Sequence, residues 1–167
     1  MTLSKTDINR NLKQLKLLYD AASSSRSSNA SLHMTFYSKL ALLEYCGWLE
    51  ISIDILIRRI ISKVSDPKIV EIGNEWITQN YGFSYKQHFR SLLCKSLGLQ
   101  KTERILNRLQ VSGDLAILES KLNSFKTLRN EAAHNPLNSN HTYRAPDYYV
   151  SEVEIVYPIF QKIKRYL

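Results

Sequence analysis

Glycine and proline are scarce in this sequence, with five Gly and four Pro spread singly among 167 residues. That composition excludes collagen-like and low-complexity chains and favours a helical globular protein over a turn-rich β-sandwich. Cysteine occurs only at Cys46 and Cys94, inside apolar segments and without metal-type spacing, so we expect two reduced core residues. No run of roughly eighteen apolar residues is free of charge, and the N-terminal segment is too polar for a signal peptide. We therefore expect no membrane association and a cytoplasmic location.

Acidic residues are outnumbered, because 15 Asp and Glu stand against 23 Lys and Arg, for a net charge of +8 and a pI near 9.5. A basic surface suits RNA, DNA, an acidic protein or an anionic membrane, although a basic protein need not use its charge in this way. A length of 167 residues predicts a single domain, residues 1–167, with a substantial core.

The motifs of several enzyme classes are absent. The sequence contains no glycine-rich phosphate loop, no H-E-x-x-H, no C-x-x-C and no G-x-S-x-G. It also contains no evident cluster of metal ligands, and we expect neither a metal nor another cofactor.

Apolar residues recur at helical spacing through most of the chain, which predicts an all-α, up-and-down helical bundle. The longest predicted helix, 32–65, is apolar around much of its circumference and is expected at the centre of the bundle. Its segment 51–55 alternates like a strand, but the length and the lack of turn signals favour a helix. The predicted helices are 4–22, 32–65, 67 to about 80, 84 to 98, 99–111, 114–134 and 150–167.

Local signals mark several ends of these helices. Asp66 and Pro67 form an N-cap followed by a proline in the first turn, and Gly98 is a typical helix end. Ser84 is predicted to cap the next helix, and Pro158 predicts a kink in the last one.

An arginine and a histidine stand five residues apart at the end of the 114–134 helix. Pro136 disfavours helix at Asn135, so the helix should end near His134. Arg129 lies about 140° round the helix from His134, and one helix would direct the two side chains apart. A second copy related by a two-fold axis could bring two arginines and two histidines into one cleft, with the small Ala132 and Ala133 allowing close approach.

The segment Arg129-Asn130-x-x-Ala133-His134 resembles the R-x4-6-H motif of HEPN domains (higher eukaryotes and prokaryotes nucleotide-binding). The resemblance implies a homodimeric, HEPN-like helical protein that is a metal-independent endoribonuclease. Its composite site would lie at the dimer interface, with Arg129 and His134 catalytic and Asn130 in support. It also implies a toxin or phage-defence effector, with RNA as substrate and a possible antitoxin or other regulatory protein as partner.

The resemblance departs from one subgroup of the family. HEPN toxins that are paired with nucleotidyltransferase antitoxins carry a tyrosine two residues after the histidine, and the partner modifies it. This sequence has Pro136 at that position. We therefore do not expect that form of regulation here.

Two acidic residues are candidates for orienting the catalytic pair. Glu50, Asp54 and Arg58 occur at successive i,i+4 positions and form a polar stripe on the long second helix. The stripe is either an ordinary row of helical ion pairs or a means of orienting Arg129 or His134.

Possible RNA contacts come from Lys126 and from the predicted loop 135–150, which is rich in Asn, His, Tyr and Arg. Within the loop, His141, Tyr143 and Arg144 could stack on bases or bind phosphate. Alternatively, the tyrosines pack down on the helices.

These residues would support RNA cleavage by transesterification. A base removes the proton of the 2′-hydroxyl, its oxygen attacks the adjacent phosphorus, and an acid protonates the departing 5′-oxygen. The alternative hypothesis is a non-catalytic helical module that binds RNA or protein through basic faces on the first helix and the C-terminal tip. A third is an interaction domain that acts only as a subunit.

Overall fold

The longest helix of the protein is α2, which runs for 32 residues from Ala30 to Ile61, close to the predicted 32–65. Its strand-like segment is helical. Ile51 is 53% exposed whereas Ile53 is fully buried, because positions two apart lie on roughly opposite sides of a helix. In a strand both would lie on one face.

The computed structural model describes residues 2–136 and 142–167, and all regular secondary structure in those ranges is helical, as predicted. A π-helical turn, Tyr85–Phe89, runs directly into α4. The α-helices are α1 Thr6–Ser23, α2 Ala30–Ile61, α3 Pro67–Thr78, α4 Arg90–Leu97, α5 Leu99–Val111, α6 Asp114–His134 and α7 Pro146–Tyr166. No helix within the described residues is both long and apolar enough to cross a membrane.

Most predicted helix ends are confirmed and follow from local chemistry. The Asp66 carboxylate accepts a hydrogen bond of 2.8 Å from the backbone N–H of Lys68, and Pro67 opens α3. Gly98 ends α4 with a φ of +77°, and Gly113 precedes α6 with a φ of +75°. Glycine adopts this left-handed region without the steric cost that a Cβ would add.

Three predicted ends are wrong. Helix α2 ends at Ile61, four residues before the predicted end at residue 65. Ser84 precedes the π-helical turn, but its side chain caps no backbone N–H and lies 2.7 Å from Nδ1 of His88 instead. Helix α7 begins at Pro146 rather than near residue 150. Proline fits the first helical turn because its φ is already helical and its missing N–H would have no helical partner. Pro158 lies inside α7, as predicted.

The chain divides into two compact units, and α2, α6 and α7 each contribute residues to both. The first unit comprises Met1–Leu3, Leu49–Lys126 and Pro158–Leu167, and the second comprises Ser4–Trp48 and Thr127–Tyr157. Fully buried side chains of the first unit include Leu49, Ile53, Leu56, Ile57, Phe89, Leu93, Leu118, Leu122, Phe160 and Ile163. Those of the second unit include Leu12, Ala41, Ala132, Val153 and Val156.

Aromatic packing holds the second unit together. The Tyr45 ring lies 5.8 Å from that of Trp48 and 6.0 Å from that of Tyr149, measured between centroids. The Trp48 indole N–H donates a 2.9 Å hydrogen bond to the carbonyl of Ser4. These contacts join α2 to α7 and to the segment that precedes α1. The same unit contains residues 127–134 of α6, which carry the Arg129–His134 motif.

Replacing Gly82 by alanine should destabilise the protein. A Cβ at Gly82 would lie 2.9 Å from Cε1 and Nε2 of His88, and the hydrogen bond to Ser84 restrains that imidazole. We expect Gly82→Ala to lower the free energy of unfolding by about 1–3 kcal/mol, as overpacking does. Urea denaturation monitored by circular dichroism would measure it.

Gly47→Ala is the matched control. Its Cβ would meet nothing within 4 Å, and Gly47 lies in the interior of α2. Alanine should therefore raise stability by about 0.5–1 kcal/mol through helix propensity. Equal effects of the two substitutions would contradict the predicted clash.

Candidate functional site

The sequence motif lies at the C-terminal end of α6, which ends at His134 as predicted. The backbone N–H of Asn135 still donates a 2.9 Å hydrogen bond to the carbonyl of Glu131. Pro136 follows and disfavours a further helical turn. The His134 side chain is exposed, so its imidazole is accessible to a ligand from solvent.

Arg129 is half-buried one and a half turns earlier on the same helix. Its Nη1 donates a 3.3 Å hydrogen bond to Oδ1 of Asn130, which is also half-buried. Asn130 therefore contacts one edge of the guanidinium, and its supporting role in a catalytic site remains a prediction. A bond of this length lies just beyond the usual range of about 2.7–3.2 Å and is weak.

A lysine that the sequence analysis did not single out also reaches this end of α6. Nζ of Lys39, on α2, donates a 2.6 Å hydrogen bond to the carbonyl of Asn135, the residue after His134. An ammonium at a helix C-terminus interacts favourably with the helix dipole and with carbonyls that lack a helical partner. The two residues are 96 positions apart, so no local pattern could indicate the contact.

Apolar surface lies beside this lysine. Phe36, Lys39, Leu40 and Leu43 line a shallow cavity of about 150 Å³ on α2. Phe36 is 45% exposed. Leu40 and Leu43 are half-buried, so the three side chains form a small apolar patch that is partly open to solvent.

The small residues near the end of α6 differ in their surroundings. Ala132 is fully buried inside the chain, whereas Ala133 is exposed. The expectation that both alanines face a second copy is therefore wrong for Ala132, because the chain itself already buries it. Only Ala133 offers a small side chain to the outside.

Glu50 and Asp54 belong to the first unit, whereas Arg129 and His134 belong to the second. Asp54 is half-buried, and its Oδ1 accepts no hydrogen bond from any described residue. The pKa of Asp54 is raised to about 6, mainly by burial and to a smaller extent by repulsion from Glu50. Attraction to Arg58 lowers the pKa and offsets part of this shift. The orienting role of the two carboxylates remains a prediction.

The suggested RNA contacts occupy different surroundings. Arg144 is exposed, with its guanidinium carbon 5.7 Å from the Tyr148 ring centroid. Tyr143 is half-buried, and its pKa is raised by burial and by the carboxylate of Glu131 on α6. Lys126 belongs to the first unit, where its Nζ lies 3.5 Å from Oε1 of Gln87. His141 lies outside the described residues.

The basic face predicted for α1 is partly neutralised. Lys16 lies 2.6 Å from the carboxylate of Asp20, and Arg10 lies 2.8 Å from that of Asp7. Lys5 forms an ion pair with Glu154 on α7. Exposed pairs of this kind contribute little to stability, but they reduce the positive charge that α1 can offer to phosphate.

The described ranges, 2–136 and 142–167, contain no group of three or more His, Cys, Asp or Glu side chains arranged to hold a metal ion. Comparison of the chain with protein-family models, with curated proteins and with solved structures finds no match.

Proposed function

We propose that this protein is a homodimeric, metal-independent endoribonuclease of the HEPN type. The observation that carries the proposal is the end of α6, where Arg129 is restrained by Asn130 and the imidazole of His134 is exposed. The same residues form the R-x4-6-H motif that resembles HEPN domains. The RNA itself would supply the nucleophile, its 2′-hydroxyl.

The two side chains supply what this reaction needs. Histidine transfers protons near neutral pH, and such general acid–base catalysis contributes about 10²–10⁴-fold. A guanidinium binds two phosphate oxygens at once and stabilises the charge that develops on them in the transition state. The 2′-oxygen bonds to phosphorus as the 5′-oxygen leaves with a proton. The products are a 2′,3′-cyclic phosphate and a 5′-hydroxyl.

A second copy of the chain would complete the site. Positions five apart on one helix point about 140° apart, so Arg129 and His134 of one copy do not face a common phosphate through helix geometry alone. The apolar surface of Phe36, Leu40 and Leu43 is adjacent to Lys39, which binds the carbonyl of Asn135. Pairing two copies here would bury that surface and bring two motifs together.

RNA bound at this site would extend over nearby cationic and aromatic side chains. Arg144 and Tyr143 are the candidates in the second unit, with the Arg144 guanidinium placed over Tyr148. By the family resemblance, the cellular role would be that of a toxin or phage-defence effector in the cytoplasm. An antitoxin or another regulatory protein would control it.

Incubation of the purified protein with a mixed RNA in EDTA tests the proposal. We expect cleavage without added metal, with cyclic-phosphate and 5′-hydroxyl ends detected by mass spectrometry. An oligonucleotide of the same sequence with deoxyribose throughout should remain intact, because it lacks the nucleophile. Products with 5′-phosphate ends, or a requirement for a divalent metal, would contradict this mechanism.

The second candidate is a non-catalytic module that binds RNA or a protein through basic surface, and the net charge of +8 favours it. Binding would then weaken steeply with salt and with loss of lysines or arginines. Substitution of His134 would leave binding unchanged, and no RNA would be cleaved.

A further inference from the structure

A cavity of about 440 Å³ lies in the first unit, and cationic side chains line it. None of its lining residues belongs to the Arg129–His134 motif. We propose that this cavity binds a ligand with two or more linked phosphate groups. Four cationic residues line it, namely Lys63, Lys101, Arg104 and Arg108. This proposal does not depend on ribonuclease activity.

Helix geometry concentrates three of these charges. Lys101, Arg104 and Arg108 occupy positions i, i+3 and i+7 of α5, which lie on one face of a helix. All three are exposed, and Ile105 beside them is buried. The buried side of α5 therefore fixes the helix while its cationic stripe borders the cavity.

These cations are not neutralised by acidic residues. None of the residues that line the cavity has a carboxylate side chain. Among the described residues, no Asp or Glu forms an ion pair with Lys101, Arg104 or Arg108. Like charges held close together repel one another, and a bound polyanion would relieve that repulsion.

Two of the cationic groups are held in position. The guanidinium carbon of Arg108 lies 5.2 Å from the ring centroid of Tyr166, which also lines the cavity. Lys63 donates a hydrogen bond through Nζ to a main-chain oxygen of Leu167. Lys63 is therefore partly engaged already, and we assign ligand binding mainly to the three cations of α5.

The spacing favours linked phosphates over a single anion. The backbone positions of Lys101 and Arg108 are about 10 Å apart along the helix axis, so the cationic stripe is longer than a single phosphate group. Guanidinium groups pair with phosphate oxygens through two parallel N–H bonds, which suits Arg104 and Arg108. A volume of about 440 Å³ lies within the usual range of small-molecule sites, about 300–1,000 Å³. Free oligophosphate, the phosphates of a nucleotide and consecutive phosphates of RNA all have this chemistry.

Isothermal titration calorimetry at constant ionic strength would test the site with three probes, namely tripolyphosphate, ATP and a short single-stranded RNA. We expect at least one probe to bind the wild-type protein. The double variant Lys101→Ala/Arg104→Ala should weaken that binding by at least about tenfold, since each charge-assisted hydrogen bond contributes strongly. Both side chains are exposed, so the variant should fold, and thermal melting without ligand checks this.

The double variant Lys68→Ala/Lys86→Ala is the matched control. It removes the same charge from exposed positions of the same unit that do not line the cavity, and it should bind like wild type. Binding of tripolyphosphate or ATP would assign a small ligand, and binding of RNA alone would assign a nucleic-acid strand. Equal losses in both double variants, or no binding of any probe to wild type, would overturn the proposal.

Discussion

Loss of the His134 imidazole is expected to lower RNA cleavage by about 10²–10⁴-fold, because His134→Ala removes a group that transfers protons in the reaction. His134 is exposed at the end of α6. The substitution should therefore change the free energy of unfolding by no more than about 0.5 kcal/mol. Single-turnover cleavage of a labelled RNA in EDTA would measure the effect.

His33→Ala is the matched control for this prediction. His33 is an exposed histidine in the same unit, on α2, and its ring lies 6.3 Å from that of Tyr37. Its removal should leave the cleavage rate unchanged. If His33→Ala and His134→Ala reduced cleavage equally, or if neither did, His134 would not be the catalytic group.

Mixing two inactive variants would test whether the site is composite. A homodimer of Arg129→Ala would have two motif histidines and no motif arginine in the cleft. A homodimer of His134→Ala would have two motif arginines and no motif histidine. A mixed dimer would contain one motif arginine and one motif histidine, from different copies, and should regain part of the cleavage activity. Failure to regain activity in verified mixed dimers would argue against a cleft shared by two copies.

The stability of the protein should also respond to pH through Asp54. Its folded-state pKa is raised to about 6 from an ordinary value of 3.8. The protonated form is therefore favoured by folding, and its contribution is fully present below about pH 3.8 and lost as the pH rises through 6. At neutral pH the buried charge reduces stability.

Asp54→Asn should remove the loss of stability that the buried, charged carboxylate causes at neutral pH. A shift of about two pKa units corresponds to at most about 3 kcal/mol, and partial exposure of the carboxylate reduces this to about 1–2 kcal/mol. We expect that gain in the free energy of unfolding at pH 7.5 and almost none at pH 4. Urea denaturation of wild type and variant at both pH values would measure it.

Glu75→Gln serves as the control, because Glu75 is an exposed carboxylate in the same unit. It should give no comparable gain at either pH. A gain for Asp54→Asn that is equal at pH 4 and pH 7.5 would show that the charge is not the cause. Asp54→Asn also tests the predicted orienting role of Asp54. Cleavage of RNA by this variant should fall only if Asp54 positions Arg129 or His134.

Sequence alone determined the class of fold and most helix ends. The cap at Asp66 and Pro67, the positive φ at Gly98 and the end of α6 before Pro136 depend on interactions within a few residues. Helical periodicity also decided the ambiguous segment of α2, because a long apolar pattern outweighs a short β-branched run. The sequence also identified Arg129 and His134 as the reactive residues of the candidate site, because both lie within the short motif 129–134.

Tertiary structure decided which of these residues have partners and which surfaces carry charge. Lys39 reaches the carbonyl of Asn135 across 96 positions, and Glu154 neutralises Lys5 across 149. The cationic cavity combines the face of α5 with Lys63 and with Tyr166 near the end of the chain. Capping and periodicity act over one or two helical turns and can be read locally. Burial and pairing of charges depend on how distant segments pack, and no local pattern specifies that.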